Sequence, residues 1–313
     1  MPVPIPFTVI GGFLGAGKTT LLNRVLREAR DERVAVLVND FGASNVDADL
    51  VVEHGGETIA LANGCICCSI GDSLMDTLIR ILSAPQPVDR ILVEASGVSD
   101  PARIADMARI DRALTLDGVV VLADAAEVRA HAADRFVGDA VRGQIAVADI
   151  VLLNKADLAG PAALAETEAW LAEVAPDVPH IRTTMAEVPL DLILGGALRG
   201  PSAPRTPVFA DHEARFARAA LRLPVLADRA RFEAAVRGLP ASVLRAKGVV
   251  HFADSPGEGF LLQKTGRSCT LAALGGTDRR PPDGGDGLVF IGTPDMPSAA
   301  LLAEALGGAP LAD

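Results

Sequence analysis

A glycine-rich stretch near the start of the chain, Gly11-Gly12-Phe13-Leu14-Gly15-Ala16-Gly17-Lys18-Thr19-Thr20, limits what the residues after it can build. It fits the phosphate-loop pattern G-x-x-x-x-G-K-S/T, with Gly12 in first place and Gly17, Lys18 and Thr19 closing it. An apolar run at residues 7–10 leads in as a buried strand, and residues 20–26 lead out as the start of a helix. A chance glycine-rich turn would lack that context. Glycines let a backbone wrap a polyphosphate with its N–H groups inward, and the helix N-terminus adds positive potential. Gly12, Gly15, Ala16, Gly17 and Thr20 are therefore expected to line the cradle. Lys18 is expected to reach the β and γ phosphates, and the Thr19 hydroxyl to ligate Mg²⁺.

Further apolar runs read as buried parallel strands, each ending in polar residues where open α/β sheets place ligands. Residues 33–39 end in Asn39-Asp40-Phe41-Gly42. Asp40 there either helps hold Mg²⁺, orients an attacking water, or is a solvated Asp-Gly turn residue. Residues 90–97 end in Glu94-Ala95-Ser96-Gly97, which puts Glu94 on Mg²⁺ directly or through water and the Gly97 N–H near a γ-phosphate. Strands at 117–124 and 148–153 follow, the second running into Asn154-Lys155-Ala156-Asp157. In that setting Asp157 accepts the N1–H and N2 amino hydrogens of guanine, which adenine does not offer. Asn154 holds the loop and reads the other edge, and the Lys155 stem covers the ring. A site built around a specific donor pair rejects the analogue lacking it, which favours GTP over ATP.

Three of the four cysteines, Cys65, Cys67 and Cys68, fall within Gly64-Cys65-Ile66-Cys67-Cys68. Such a cluster supplies up to three thiolates to Zn²⁺ or Cu(I), one short of a closed tetrahedral site, which suits transfer or sensing. The alternatives are small buried hydrophobes or a redox-active pair. Cys269 stands alone and reads as a buried filler. Leu74, Leu78 and Ile81 then set a helical period.

The 313 residues are half hydrophobic, enough for one large domain or two ordinary ones. Against 40 acidic residues stand 29 basic ones, a net charge of −11 that argues against nucleic acid or anionic membrane as partner. No apolar run approaches the ~18 residues of a membrane span. A reducing, cytoplasmic setting fits the cysteine usage. The proline-rich stretch 200–207 divides the chain into an α/β domain at 1–199, with a mostly parallel sheet flanked by helices, and a smaller α+β domain at 208–313. In the latter, a helix near 228–238, strands at 249–253, 260–263 and 288–291, and a last helix near 298–306 are expected.

In order, Gly-Gly-Phe-Leu-Gly-Ala-Gly-Lys-Thr-Thr, Asn-Asp-Phe-Gly, Gly-Cys-Ile-Cys-Cys, Glu-Ala-Ser-Gly and Asn-Lys-Ala-Asp make the chain resemble the CobW-like GTPases. These are relatives of the nickel-insertion GTPases of hydrogenase and urease. Arg245-Ala246-Lys247-Gly248 and Leu288-Val289-Phe290-Ile291-Gly292 resemble parts of that family's C-terminal domain. The resemblance implies a phosphate-loop GTPase that hydrolyses GTP to GDP and acts as a metallochaperone. Lys18 and Thr19 then serve phosphate and Mg²⁺, Asp40 and Glu94 serve the switch regions, and Asp157 reads guanine. Cys65, Cys67 and Cys68 carry Zn²⁺ or Co²⁺ for a client metalloprotein. Many members have Glu at the place of Asp40. Many also carry a histidine-rich stretch between the domains, where this chain has only His212. The alternative is a GTP-responsive scaffold that activates a metalloenzyme without carrying its metal; an ATP-dependent kinase requires the Asn154 to Asp157 motif to be coincidental. The oligomeric state stays open, a metal- or nucleotide-dependent dimer being one outcome.

Overall fold

A computed structural model describes residues 4–29, 33–39, 59–61, 72–194, 216–274 and 287–310. Asp40, the three clustered cysteines, the stretch 200–207 and His212 lie outside the described residues. The chain forms two compact units, Pro4–Leu190 and a second beginning at Asp191.

The first unit alternates strand and helix: β1 (Ile5–Gly12), α1 (Lys18–Glu28), β2 (Val34–Asn39), β3 (Ile59–Leu61), α2 (Asp72–Leu82), β4 (Arg90–Glu94), α3 (Pro101–Ile110), β5 (Leu114–Asp124), α4 (Val128–Ala133), α5 (Gly138–Val147), β6 (Ile150–Asn154), α6 (Pro161–Val174) and β7 (His180–Arg182). Among the described residues these strands form a seven-stranded sheet ordered β3-β2-β4-β1-β5-β6-β7. Every pairing in it is parallel. Parallel neighbours need crossover connections, so helices cover both faces and the central strands are mostly apolar. All of β4 and all of β6 are buried. β1 lies between β4 and β5, so the loop after it opens where the strand order changes direction, the usual ligand crevice of such sheets.

Local sequence explains the individual elements. In α2, Leu74, Leu78 and Ile81 are buried, as their spacing predicts, while Met75 and Ile79 face outward. α3 starts where the Asp100 side chain accepts the Ala102 N–H and Pro101 occupies the first turn. β5 starts earlier than the expected 117 because residues 114–116 already pair with residues 5–7 of β1, and a bulge then follows: Phe7 faces Leu116, Thr8 faces Gly118, and Asp117 is skipped. The skipped carboxylate is buried 3.6 Å from the Arg90 guanidinium.

A short helix, α7 (Leu190–Leu194), follows, and then β8 (Ala217–Arg222), α8 (Arg229–Arg237), β9 (Val243–His251), β10 (Gly259–Thr265), β11 (Ser268–Ala273), β12 (Gly287–Gly292), α9 (Ala299–Leu306) and β13 (Ala309–Pro310). These strands form an antiparallel sheet ordered β11-β10-β9-β12-β8-β13. Phe232 and Val236 of α8 and Leu302 and Leu306 of α9 share one core with Ala246, Val250, Phe260 and Phe290 of the sheet. Both helices begin at a side-chain cap, Asp228 to the Arg231 N–H and Ser298 to the Leu301 N–H. β8 and β11 depart from the sequence expectation. Ala-Arg-Ala-Ala-Leu-Arg has a helix former's composition, and its pairing with β12 and β13 overrides that preference. Cys269 lies on β11, half-buried and packed against this core, and burial raises its thiol pKa.

One ion pair fixes the end of β7. Arg182 donates from Nε and Nη2 to the two oxygens of Glu168 on α6, at 2.5 and 2.6 Å. Those hydrogen bonds hold the Glu168 carboxyl below the usual glutamate range. A carboxyl depressed by folding contributes stability above its unfolded pKa, and loses it as pH falls through the folded value. The stability difference between the natural protein and Arg182→Ala is therefore expected to be full near pH ~7 and to shrink as acidification protonates Glu168, with a ceiling of about 1 kcal/mol because the pair is partly exposed. Urea unfolding at neutral and at acid pH checks it; a difference that grows on acidification contradicts the assignment.

Candidate functional site

The loop between β1 and α1 turns on glycines whose backbone an L-residue avoids: φ is 136° at Gly12, 75° at Gly15 and 105° at Gly17. At two of them space also forbids a side chain. A Cβ on Gly12 would stand 2.4 Å from the Leu122 carbonyl oxygen, and one on Gly17 2.4 Å from Nδ2 of Asn154. α1 begins directly after Gly17, with no side-chain cap and no acidic residue in its first turn. Its N-terminus thus presents positive potential to the loop.

Lys18 is buried, its ammonium 3.4 Å from the Phe13 carbonyl oxygen and 3.9 Å from Oε1 of Glu94. Thr19 and Thr20 follow it, half-buried, on the first turn of α1. Glu94 closes β4 opposite Ile10 of β1 and is itself buried. The Ala95 N–H donates to the Ile10 carbonyl at 2.8 Å, and the chain then turns at Gly97 onto the phosphate loop. A Cβ on Gly97 would come within 2.6 Å of the Leu14 side chain and 2.9 Å of its backbone nitrogen.

On the other side, Asn154 closes β6 and is 2 % exposed. Its Nδ2 donates to the Ala16 carbonyl at 2.9 Å. Its Oδ1 accepts from the Thr183 hydroxyl at 3.0 Å and from the Ala186 N–H at 2.9 Å. Asn154 therefore holds the phosphate loop, as its place in the motif suggests. Its carbonyl oxygen is engaged by the turn after β7, through Thr183 and Ala186, which leaves the second Nδ2 hydrogen as the group not used in these three bonds. Lys155 has a left-handed backbone, φ 57°, and its ammonium lies 2.8 Å from Asp124 at the end of β5. Asp157 is exposed on the turn closed by the Leu158 N–H to the Lys155 carbonyl.

The structure thus gathers Gly12, Gly15, Ala16, Gly17, Lys18, Thr19, Thr20, Glu94, Gly97, Asn154, Lys155 and Asp157 at the C-terminal edge of one sheet. Asp40, Cys65, Cys67 and Cys68 are outside the described residues. Two contributors went unnoticed in the sequence. Asp124, the register partner of Asn154, positions Lys155. Residues 183–186 form the third loop of the site, with Met185 and Ala186 both at φ 54° and the Ala186 carbonyl accepting from Nη1 of Arg24 at 3.1 Å. Such non-glycine backbones cluster where a site is rigidly specified. The only signal for this loop was its place after β7, a strand of three residues.

Asn154→Ala would leave a buried carbonyl, hydroxyl and amide without this partner, so we expect a loss of about 2–4 kcal/mol of stability in the ligand-free protein. Gly17→Ala is expected to abolish nucleotide binding. Thermal unfolding and nucleotide titration check the two; an Asn154→Ala protein as stable as the natural one removes this side chain from its central place.

The sequence matches the CobW/HypB/UreG nucleotide-binding domain over residues 6–182 and the cobalamin synthesis protein CobW C-terminal domain over residues 216–308. The zinc chaperone CobW of Sinorhizobium sp is 32 % identical over 345 aligned positions, covering 96 % of each chain. The zinc chaperone YjiA of Escherichia coli is 35 % identical over 199 positions, 61 % of each chain. The zinc-regulated GTPase metalloprotein activator 1 of Schizosaccharomyces pombe is 37 % identical over 171 positions, 51 % of this chain and 41 % of that one. With a phosphate loop on β1 and an antiparallel second unit in the matching places, the chain belongs to the CobW family of nucleotide-binding proteins.

Proposed function

We propose that this protein is a GTP-hydrolysing metallochaperone, built from a GTPase domain at 1–199, a linker at 200–207 and a C-terminal domain at 208–313. The observation that carries the reading is the hydrogen bond from Asn154 to Ala16. It ties the Asn-Lys-Ala-Asp turn to the phosphate loop, so base and phosphate contacts belong to one connected site. Asp157 selects guanine by accepting its N1 and N2 hydrogens. Lys155, anchored on Asp124, lays its stem beside the base.

The oxygen donors at the phosphate end suit a hard cation: the Thr19 hydroxyl and the buried Glu94 carboxylate would hold Mg²⁺, with Asp40 as a further candidate. Bound there, Mg²⁺ would supply charge neutralisation at the β and γ phosphates. Water adds to the γ-phosphorus, the bond to the β–γ bridging oxygen breaks, and GDP departs with that electron pair. Lys18, the Gly97 N–H and the loop N–H groups stabilise the charge gathered on the transferred oxygens. Zinc, or cobalt, is the cargo, held by Cys65, Cys67 and Cys68 for delivery to a client metalloprotein. The zinc chaperones among its relatives support that choice of metal.

Competition of GTP against ATP should show Asp157→Ala losing at least about a hundredfold in GTP affinity, because the base donors lose their acceptor. Lys18→Ala is expected to abolish hydrolysis. Equilibrium dialysis should find Zn²⁺ bound differently in the GTP-analogue and GDP states, and lost when all three cysteines become serine. Undiminished Zn²⁺ binding by that triple variant would sink the cargo site, and client activation by it would favour a scaffold that carries no metal.

A further inference from the structure

Gln144 sits mid-way along α5 on the face that buries Val141 and Ile145, and is 2 % exposed. An amide in such a place is costly unless its groups are satisfied. Its Nε2 donates twice, to the Gly97 carbonyl at 3.0 Å and to the Ser99 carbonyl at 2.8 Å, which uses both N–H groups. Those carbonyls belong to the turn that leaves Glu94 and enters α3. Inside the turn, the Ser99 N–H donates to the Ser96 carbonyl at 3.0 Å, and the two serine hydroxyls lie 2.5 Å apart. The turn also touches the β1–α1 segment at both ends. Gly97 lies on Leu14, and a Cβ on Gly11 would stand 2.8 Å from Cγ of Pro101. The serine bonds set the turn's shape. Gln144 reaches in from a separate helix and sets its position.

We propose that Gln144 is a positioning residue for the γ-phosphate. By holding the Gly97 and Ser99 carbonyls it fixes how closely the Gly97 backbone approaches the phosphate loop, and with that the preference for triphosphate over diphosphate. The proposal rests on the reading of residues 11–20 as a GTP phosphate site with Gly97 at the γ-phosphate. On that reading the β-phosphate is held by the loop and Lys18, whereas both Gln144 N–H groups are spent on the Gly97 and Ser99 carbonyls, so GDP binding should be indifferent to it.

The test uses the full chain. Gln144→Met removes both donors at nearly constant length and volume, and Gln144→Glu keeps the shape but aims carboxylate oxygens at two carbonyls. Each is titrated with GDP and with a non-hydrolysable GTP analogue, and assayed for kcat, KM and melting temperature. For Gln144→Met, GDP affinity is expected to stay within about twofold while analogue affinity and kcat fall about tenfold or more, as the loss of two buried hydrogen bonds implies. Gln144→Glu should fall at least as far; if it does not fold, the methionine variant decides alone. An unchanged ratio of analogue to GDP affinity in the methionine variant, or parallel loss of both nucleotides with a lowered melting temperature, overturns the proposal. A natural protein that binds neither nucleotide overturns the phosphate-site reading and this proposal with it, a result distinct from an intact natural protein beside an unaffected variant.

Discussion

The carboxamide of Asn154 is the interaction on which the site depends. Three segments far apart in sequence meet at it: the phosphate loop through Ala16, the end of β6, and the turn after β7 through Thr183 and Ala186. Neither loop could hold its conformation alone. Gly17 lies so near the Asn154 amide that no side chain fits between them, and the 183–186 turn carries two non-glycine residues at positive φ. Backbone of that kind persists only where the surroundings over-determine it. A buried amide that makes three hydrogen bonds to two separate loops supplies that determination.

The sheet makes the meeting possible. Because every pairing around β1 is parallel, strand ends that are distant in sequence open on the same edge. Glu94, Asp124 and Asn154 are each the last residue of a strand, and all three open on the edge that carries the proposed site. The interiors of β4 and β6 are apolar for the complementary reason, being buried on both faces. The same architecture explains why Gln144 is informative. A polar side chain at a core position of a helix is tolerated because the turn it meets offers two carbonyls.

The phosphate loop, the acid at the end of β4 and the Asn-Lys-Ala-Asp turn were legible from the chain because each is a local pattern with a fixed chemical purpose. The two helices of the second unit were legible for a similar reason, since Asp228 and Ser298 are caps that work within one turn. β8, β11 and the 183–186 turn were not. Their conformations come from partners such as β12, β10 and Asn154, and nothing within their own residues announces those partners.

The sequence by itself determined the class of ligand, the likeness to CobW-like GTPases and which strands carry the site, because short motifs encode their own geometry through glycine conformation, hydrogen-bonding groups and spacing. Only the tertiary structure decided how those motifs are joined. It gave the Asn154 oxygen to Thr183 and Ala186, gave Lys155 to Asp124, and brought Gln144 to the turn beyond Glu94. Each of these is a contact between residues separated by a strand or more, and such contacts exist only once the strands have found their order in the sheet.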